Sequence, residues 1–253
     1  TIEAFQAASA SSRESLNFDG TGETGTSVCD LILDLRGGTP LFPAPEKRDG
    51  YFNPDPGNPA LIGDALLQLT DMVGEFDKPQ YIDYDESICA HFSAGITGCT
   101  RCIDHCPTGA ITPDTVNERV SLDPYICAGC GTCASVCPTG AAKYQLPAGN
   151  FLFERVKLLL GTYREAGGTD PVLLVHDTKH GEDMISAMSR AGRGLPANVL
   201  PFAVNEVTQI GFDFMAVALG YGAAKITMLT GPGNIGETDG LESQRELVET
   251  VTS

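Results

Sequence analysis

Four cysteines fall within eleven residues, at Cys127, Cys130, Cys133 and Cys137 of the stretch CAGCGTCASVCPTGA. No other feature constrains the folding of this chain as tightly. A second stretch, GCTRCIDHCPTGA at 98–110, repeats three of the four. Its Cys99, Cys102 and Cys106 precede Cys130, Cys133 and Cys137 by 31 residues each. The residues upstream supply the fourth. DESIC carries Asp85 and Cys89, DPYIC carries Asp123 and Cys127, and each residue lies 38 positions from its counterpart. The difference of seven residues is an insertion within AHFSAGITG. Cys89 therefore completes the first copy.

The two spacings are C-x9-C-x2-C-x3-C-P and C-x2-C-x2-C-x3-C-P. The second is a run that binds a cubane iron-sulfur cluster while its fourth cysteine serves the other cluster. Three closely spaced thiolates wrap three irons of one cubane. Pro107 and Pro138 turn the chain away, so each fourth cysteine can reach across. This exchange assigns Cys89, Cys99, Cys102 and Cys137 to one [4Fe-4S] cluster, and Cys127, Cys130, Cys133 and Cys106 to the other. Structural zinc favours two separated cysteine pairs closing one tetrahedral site, which fits this crowding poorly. Eight of the nine cysteines lie between Cys89 and Cys137, which argues against a dispersed disulfide framework.

On all eight of these cysteines, both Cys-Pro pairs and both PTGA tails, residues 79–147 resemble the bacterial two-[4Fe-4S] ferredoxin family. The departure is the long interval from Cys89 to Cys99. The resemblance implies a pseudo-twofold α+β domain with two clusters within tunnelling reach of each other. The last hundred residues are similar, in layout alone, to the α/β domain that accompanies such modules in multi-subunit iron-sulfur oxidoreductases. They contain no cysteine, so no third cluster is expected there.

The remaining sequence divides around this centre. The expected fold is α+β: a dicluster ferredoxin-like domain at 79–147, preceded by an N-terminal strand and helix segment at 1–78 and followed by an α/β domain with a small parallel sheet at 148–253. The first segment opens polar, as a flexible arm. CDLILDL at 29–35 then suits a buried strand, and a proline-rich stretch is irregular. Asn58 is placed to cap a helix entered through Pro59. Leu61, Ile62, Ala65, Leu66, Leu69, Met72 and Val73 form its apolar face. Short strands are expected in QYIDY, GAIT, RVSL and AAKYQ of the middle segment. In the last, strands PVLLVHD, NVLPFAV and KITMLT alternate with four helical stretches, one of them running unbroken over 207–224. That alternation implies a parallel sheet.

The formal charge of −17 argues against nucleic acid or an anionic membrane surface. It favours a redox protein or oxidoreductase partner with a basic docking patch. No apolar run is long enough to span a membrane and no secretory signal is visible, which points to the cytoplasm. GPGNIG at 231–236 satisfies G-x-G-x-x-G after a strand, but Pro232 sits inside it and no basic residue is near, so a glycine turn is the expected reading. His176 and His180 follow a strand end and are expected to be solvated. His91 and His105 adjoin cysteines they could tune, and Cys29 is expected to be a buried thiol. The functional expectation is an electron carrier or relay subunit rather than a catalytic chain. It passes single electrons through two [4Fe-4S] clusters to or from a partner. The alternatives are an oxidoreductase subunit whose C-terminal domain binds a nucleotide or flavin, and a cluster-based redox sensor.

Overall fold

In the computed structural model the described residues are 30–42, 48–75, 77–91, 97–117, 119–234 and 237–252, together with the backbone of four short strands before them. Cys29, Ile235 and Gly236, on which sequence expectations were placed, lie outside the described residues. The chain forms two compact units, Thr1–Glu75 and Phe76–Ser253.

In the first unit, β1 (Ile2–Glu3) pairs antiparallel with β4 (Thr26–Ser27), and β2 (Gln6–Ala8) with β3 (Ser15–Asn17). The stretch expected as a flexible arm thus contains strands. CDLILDL yields only the two-residue strand β5 (Ile32–Leu33), parallel to β6 (Tyr51–Phe52). Among its described residues the most buried is the acidic Asp34, not an aliphatic one, and Leu35 is exposed. The strand stops there because the Asp34 carboxylate organises the loop. It accepts 2.9 Å and 2.8 Å bonds from the Arg36 guanidinium and a 2.8 Å bond from the Tyr51 hydroxyl. Helix α1 (Pro59–Asp71) begins as expected, with Asn58 Oδ1 accepting from the backbone of Ala60 and Leu61. Its apolar face is less buried than the periodicity implies: Ala65 is enclosed, while Leu61, Leu66 and Val73 are exposed.

In the second unit, β7 (Ile82–Tyr84) precedes the short helix α2 (Arg101–Asp104), and β8 (Ile111–Asp114) pairs antiparallel with β9 (Arg119–Leu122). After α3 (Thr132–Ser135), β10 (Ala142–Tyr144) returns to pair with β7. The two halves of the cysteine repeat are therefore interlaced, since the first strand of one half pairs with the last strand of the other.

Helix α4 (Gly149–Glu165) leads into β11 (Val172–Asp177), α5 (His180–Ala191), β12 (Val199–Val204), α6 (Phe212–Gly220), β13 (Lys225–Leu229) and α7 (Asp239–Thr252). The strands form a parallel sheet in the order β12-β11-β13. As the central strand, β11 buries Leu173 and Val175 completely, which explains its unbroken apolar run. Val156, Leu160, Phe202, Phe214 and Ala218 pack with them in one core. The helix expected over 207–224 is split. Val207–Gln209 is a 3-10 turn, and α6 starts only after Gly211. A Cβ at Gly211 would stand 2.8 Å from the Ser135 carbonyl oxygen, so the chain there approaches the cysteine segment closely. The overall class is a mixed α+β protein with small sheets.

Candidate metal centre

Local turn chemistry delivers the first cysteine of each half. Asp85 Oδ1 accepts from the backbone and hydroxyl of Ser87, at 3.0 Å and 2.6 Å, and Cys89 follows as the turn closes on Glu86. Asp123 Oδ1 accepts from Tyr125 and Ile126, and the Cys127 backbone closes on Asp123. Such Asx turns let a short side chain replace a backbone partner. The two aspartates that align the repeat thus do the same structural task.

The next cysteines sit on loops entering the two one-turn helices. In the second half, Gly129 and Gly131 have φ of +73° and +78°, a left-handed backbone that brings Cys127, Cys130 and Cys133 around within seven residues. This loop is pinned from outside: the Tyr144 hydroxyl donates to the Gly129 carbonyl at 2.7 Å, and the Thr208 hydroxyl donates to the Cys130 carbonyl at 2.7 Å. In the first half the insertion is closed at its base. The Gly98 and Cys99 amides donate to the His91 and Ala90 carbonyls at 2.7 Å and 3.2 Å. Buried His91 adds Nδ1 at 2.7 Å from the Cys99 carbonyl oxygen, which places the proton on Nδ1. The nine-residue interval therefore leaves Cys89 close to Cys99. His105 Nδ1 bonds the Arg101 carbonyl of its own turn. His176 is buried and bonds the Asp177 carbonyl rather than being solvated.

The fourth cysteines carry matching polar neighbours. Thr108 Oγ1 lies 3.8 Å from the Cys106 sulfur, and Thr139 Oγ1 lies 3.7 Å from the Cys137 sulfur. The repeated PTGA tail was visible in the sequence, although its threonine was not recognised there as a sulfur partner. Thr208 was missed for a different reason: it lies 78 residues beyond Cys130, with no local signal linking them.

One cavity is lined by Cys89, Cys99, Cys102 and Cys137, and its walls include Tyr84, Ile111, Val120, Leu122 and Ala142. Cys102 interacts electrostatically with Cys137, Cys89 and Cys99, while Cys133 does so with Cys130, Cys127, Cys106 and Cys102. Among the described residues, no three His, Cys, Asp or Glu side chains are set to share a single ion; Cys89, Cys99, Cys102 and Cys137 surround a space instead. Burial, followed by the neighbouring thiols, pushes Cys102 up to about 11, and burial likewise pushes Cys133 well above the usual thiol range. Burial also raises Cys127. At Cys137 burial is again the largest single effect, but the Ala142, Thr139 and Ala141 amides and the Thr139 hydroxyl outweigh it and lower the pKa. Buried thiols of raised pKa ionise readily only against a metal, which deprotonates a coordinating thiol outright. The donor set is all sulfur, the class that soft thiolate centres and iron-sulfur clusters take. A polynuclear iron-sulfur group fits both the space and the donors.

Interlaced half-repeats in which Cys137 of the second half joins three thiols of the first around one cavity suit an iron-sulfur domain of the ferredoxin type. Residues 97–141 match the family model for the 4Fe-4S dicluster domain, so the middle of this chain is a dicluster ferredoxin-type domain that binds 4Fe-4S. Cys89 lies outside the matched residues, yet it lines the same cavity as Cys99, Cys102 and Cys137. No curated protein and no solved structure matches the chain. No helix among the described residues is long and apolar enough to cross a membrane.

Proposed function

We propose that this chain relays single electrons through two [4Fe-4S] clusters, one held by Cys89, Cys99, Cys102 and Cys137, the other by Cys127, Cys130, Cys133 and Cys106. The observation carrying this reading is the shared cavity, where Cys137 from the second half joins three thiols of the first. Each cluster, when bound, supplies a one-electron couple. The chain holds the thiolates, screens them behind Ile111, Val120 and Leu122, and offers Thr108, Thr139 and backbone amides toward their charge. Such hydrogen bonds and burial set cluster potentials. The chain is an electron carrier or relay subunit, and 79–147 is the domain that performs the relay.

The net charge of −17 supports docking to an oxidoreductase through a basic patch, in a reducing compartment such as the cytoplasm. The nucleotide alternative gains nothing at the glycine turn. There the Gly231 amide donates to Asn234 Oδ1 at 3.2 Å, so it is already used within the turn.

Anaerobically purified protein should contain about eight irons and eight sulfides per chain by ligand count. Stoichiometric zinc, with no absorption near about 400 nm from a cluster, would overturn the reading.

A further inference from the structure

The two proposed clusters have similar surroundings but not identical ones. Thr108 and Thr139 occupy matching places beside Cys106 and Cys137, one for each set of thiols. Their effects on the two potentials therefore largely cancel in the difference. Tyr84, the last residue of β7, has no such counterpart. The 38-residue offset that relates Asp85 to Asp123 pairs Tyr84 with Leu122 in the repeat, and leucine, which lines the same cavity as Tyr84, has no donor.

The Tyr84 hydroxyl is buried and makes no hydrogen bond of good geometry with another protein group, although the Cys89 side chain and the Val120 backbone stand within its hydrogen-bonding range. A buried polar group left in that state calls for an explanation. Tyr84 lines the cavity that also contains the thiols of Cys89, Cys99, Cys102 and Cys137. The Cys89 side chain and the Val120 backbone are among its polar neighbours. A neutral thiol is a weak acceptor, whereas a thiolate is a strong, charge-assisted one. The hydroxyl thus stands beside a sulfur that becomes a good acceptor only once metal is bound.

We propose that Tyr84 is a positioning and tuning residue, donating its O–H to the Cys89 sulfur of the cluster held by Cys89, Cys99, Cys102 and Cys137, and so raising the reduction potential of that cluster alone. This rests on the two-cluster reading above. A donor aimed at a cluster sulfur favours the form carrying the extra electron, so its presence raises the potential and its loss lowers it. A donor present at one set of thiols and absent from the matching repeat position sets the two potentials apart.

The test is an EPR-monitored redox titration of the anaerobically purified full chain. It compares the parent with Tyr84→Phe and with Tyr125→Phe, a change at an 80% exposed control position. Tyr84→Phe keeps the ring and removes only the donor. The expected result is about a tenfold weaker reduction equilibrium for one cluster, a shift of about 59 mV to more negative potential for a one-electron couple. The other cluster and the Tyr125→Phe protein should be unmoved. The shifted signal should be the one that Cys89→Ser perturbs. Site-specific 3-fluorotyrosine at position 84 keeps the shape and strengthens the donor, so it should move the same potential upward, and it serves if Tyr84→Phe does not assemble. Two clusters with unmoved potentials, or a shift in the cluster that Cys89→Ser leaves alone, would overturn the role of Tyr84. Iron and sulfide measured on the same samples separate that outcome from failure of the two-cluster reading, which a parent protein without two clusters would show.

Discussion

Replacing Gly131 by alanine should destabilise the cysteine domain and empty part of its metal centre. Gly131 has a φ of +78°, and a Cβ there would stand 2.5 Å from Gln209 Cβ, 2.9 Å from Gln209 Cα and 3.1 Å from Tyr144 Cδ2. The left-handed backbone costs a residue with a Cβ about 1–2 kcal/mol. Overpacking against a backbone atom that cannot swing aside adds about 1–3 kcal/mol. Together these suggest about 2–5 kcal/mol. At about 2–4 °C per kcal/mol for a unit of this size, the apparent midpoint should fall by about 4–20 °C. The strain acts between Cys130 and Cys133, so iron content should fall as well. Gly161→Ala is the matched control. It lies inside α4 with nothing within 4 Å of its would-be Cβ, and there the same methyl group should stabilise by about 0.5–1 kcal/mol. Anaerobic thermal melts at one fixed scan rate, with iron assayed beforehand, read both effects. A Gly131→Ala protein that melts with the parent and holds the same iron would refute the reasoning.

Other outcomes follow from the same structure. Thr208→Val removes the donor to the Cys130 carbonyl and should cost about 1–3 kcal/mol, read as a lower anaerobic melting midpoint, with Val207→Ala as a packing comparison. Asp34 is held well below the usual carboxylate range, chiefly by the Arg36 side chain, with the Arg36 backbone and the Tyr51 hydroxyl adding to it against burial. Its stabilising effect is therefore full above the unfolded value of about 4 and is lost as pH falls toward the depressed folded value. Asp34→Asn should lower stability at pH 7 and flatten its decline between about pH 5 and pH 2, as followed by acid unfolding. Removing iron with a chelator should open 85–140 to proteolysis while β11 to β13 stay protected, because their core of Leu173, Val175, Phe202 and Phe214 contains no cysteine. Electron transfer to a competent partner should slow as salt rises from about 0.1 M, where the Debye length is about 10 Å, to about 0.5 M, and a flat profile would argue against electrostatic docking.

Much of the metal centre was legible because its chemistry is local and repeated. Asp85 and Asp123 marked the true start of each half because each builds the turn that presents a cysteine. That reading pointed to Cys89, which lies outside the 97–141 match and lines the cavity with Cys99, Cys102 and Cys137. The start of α1 was legible for the same reason, since Asn58 caps over two or three residues. Misreadings arose where a distant partner overrode the local pattern. CDLILDL reads as an apolar strand until Tyr51, 17 residues away, and Arg36 enclose the Asp34 carboxylate. The apolar stretch 207–224 reads as one helix until Thr208 is drawn to Cys130 and Gly211 against Ser135.

The sequence by itself determined the repeat of eight cysteines in two copies, each copy closed by a Cys-Pro pair, and the alternating tail that makes a parallel sheet. Spacing and turn propensity act over a few residues, so they survive in the one-dimensional pattern. Tertiary structure alone decided which hydroxyl is buried beside the thiols and which loops are clamped by the C-terminal segment. Those contacts join residues tens of positions apart. Pairing β7 with β10 and β8 with β9 brings Tyr84, Leu122 and Cys137 to one wall, and no local preference encodes that closure.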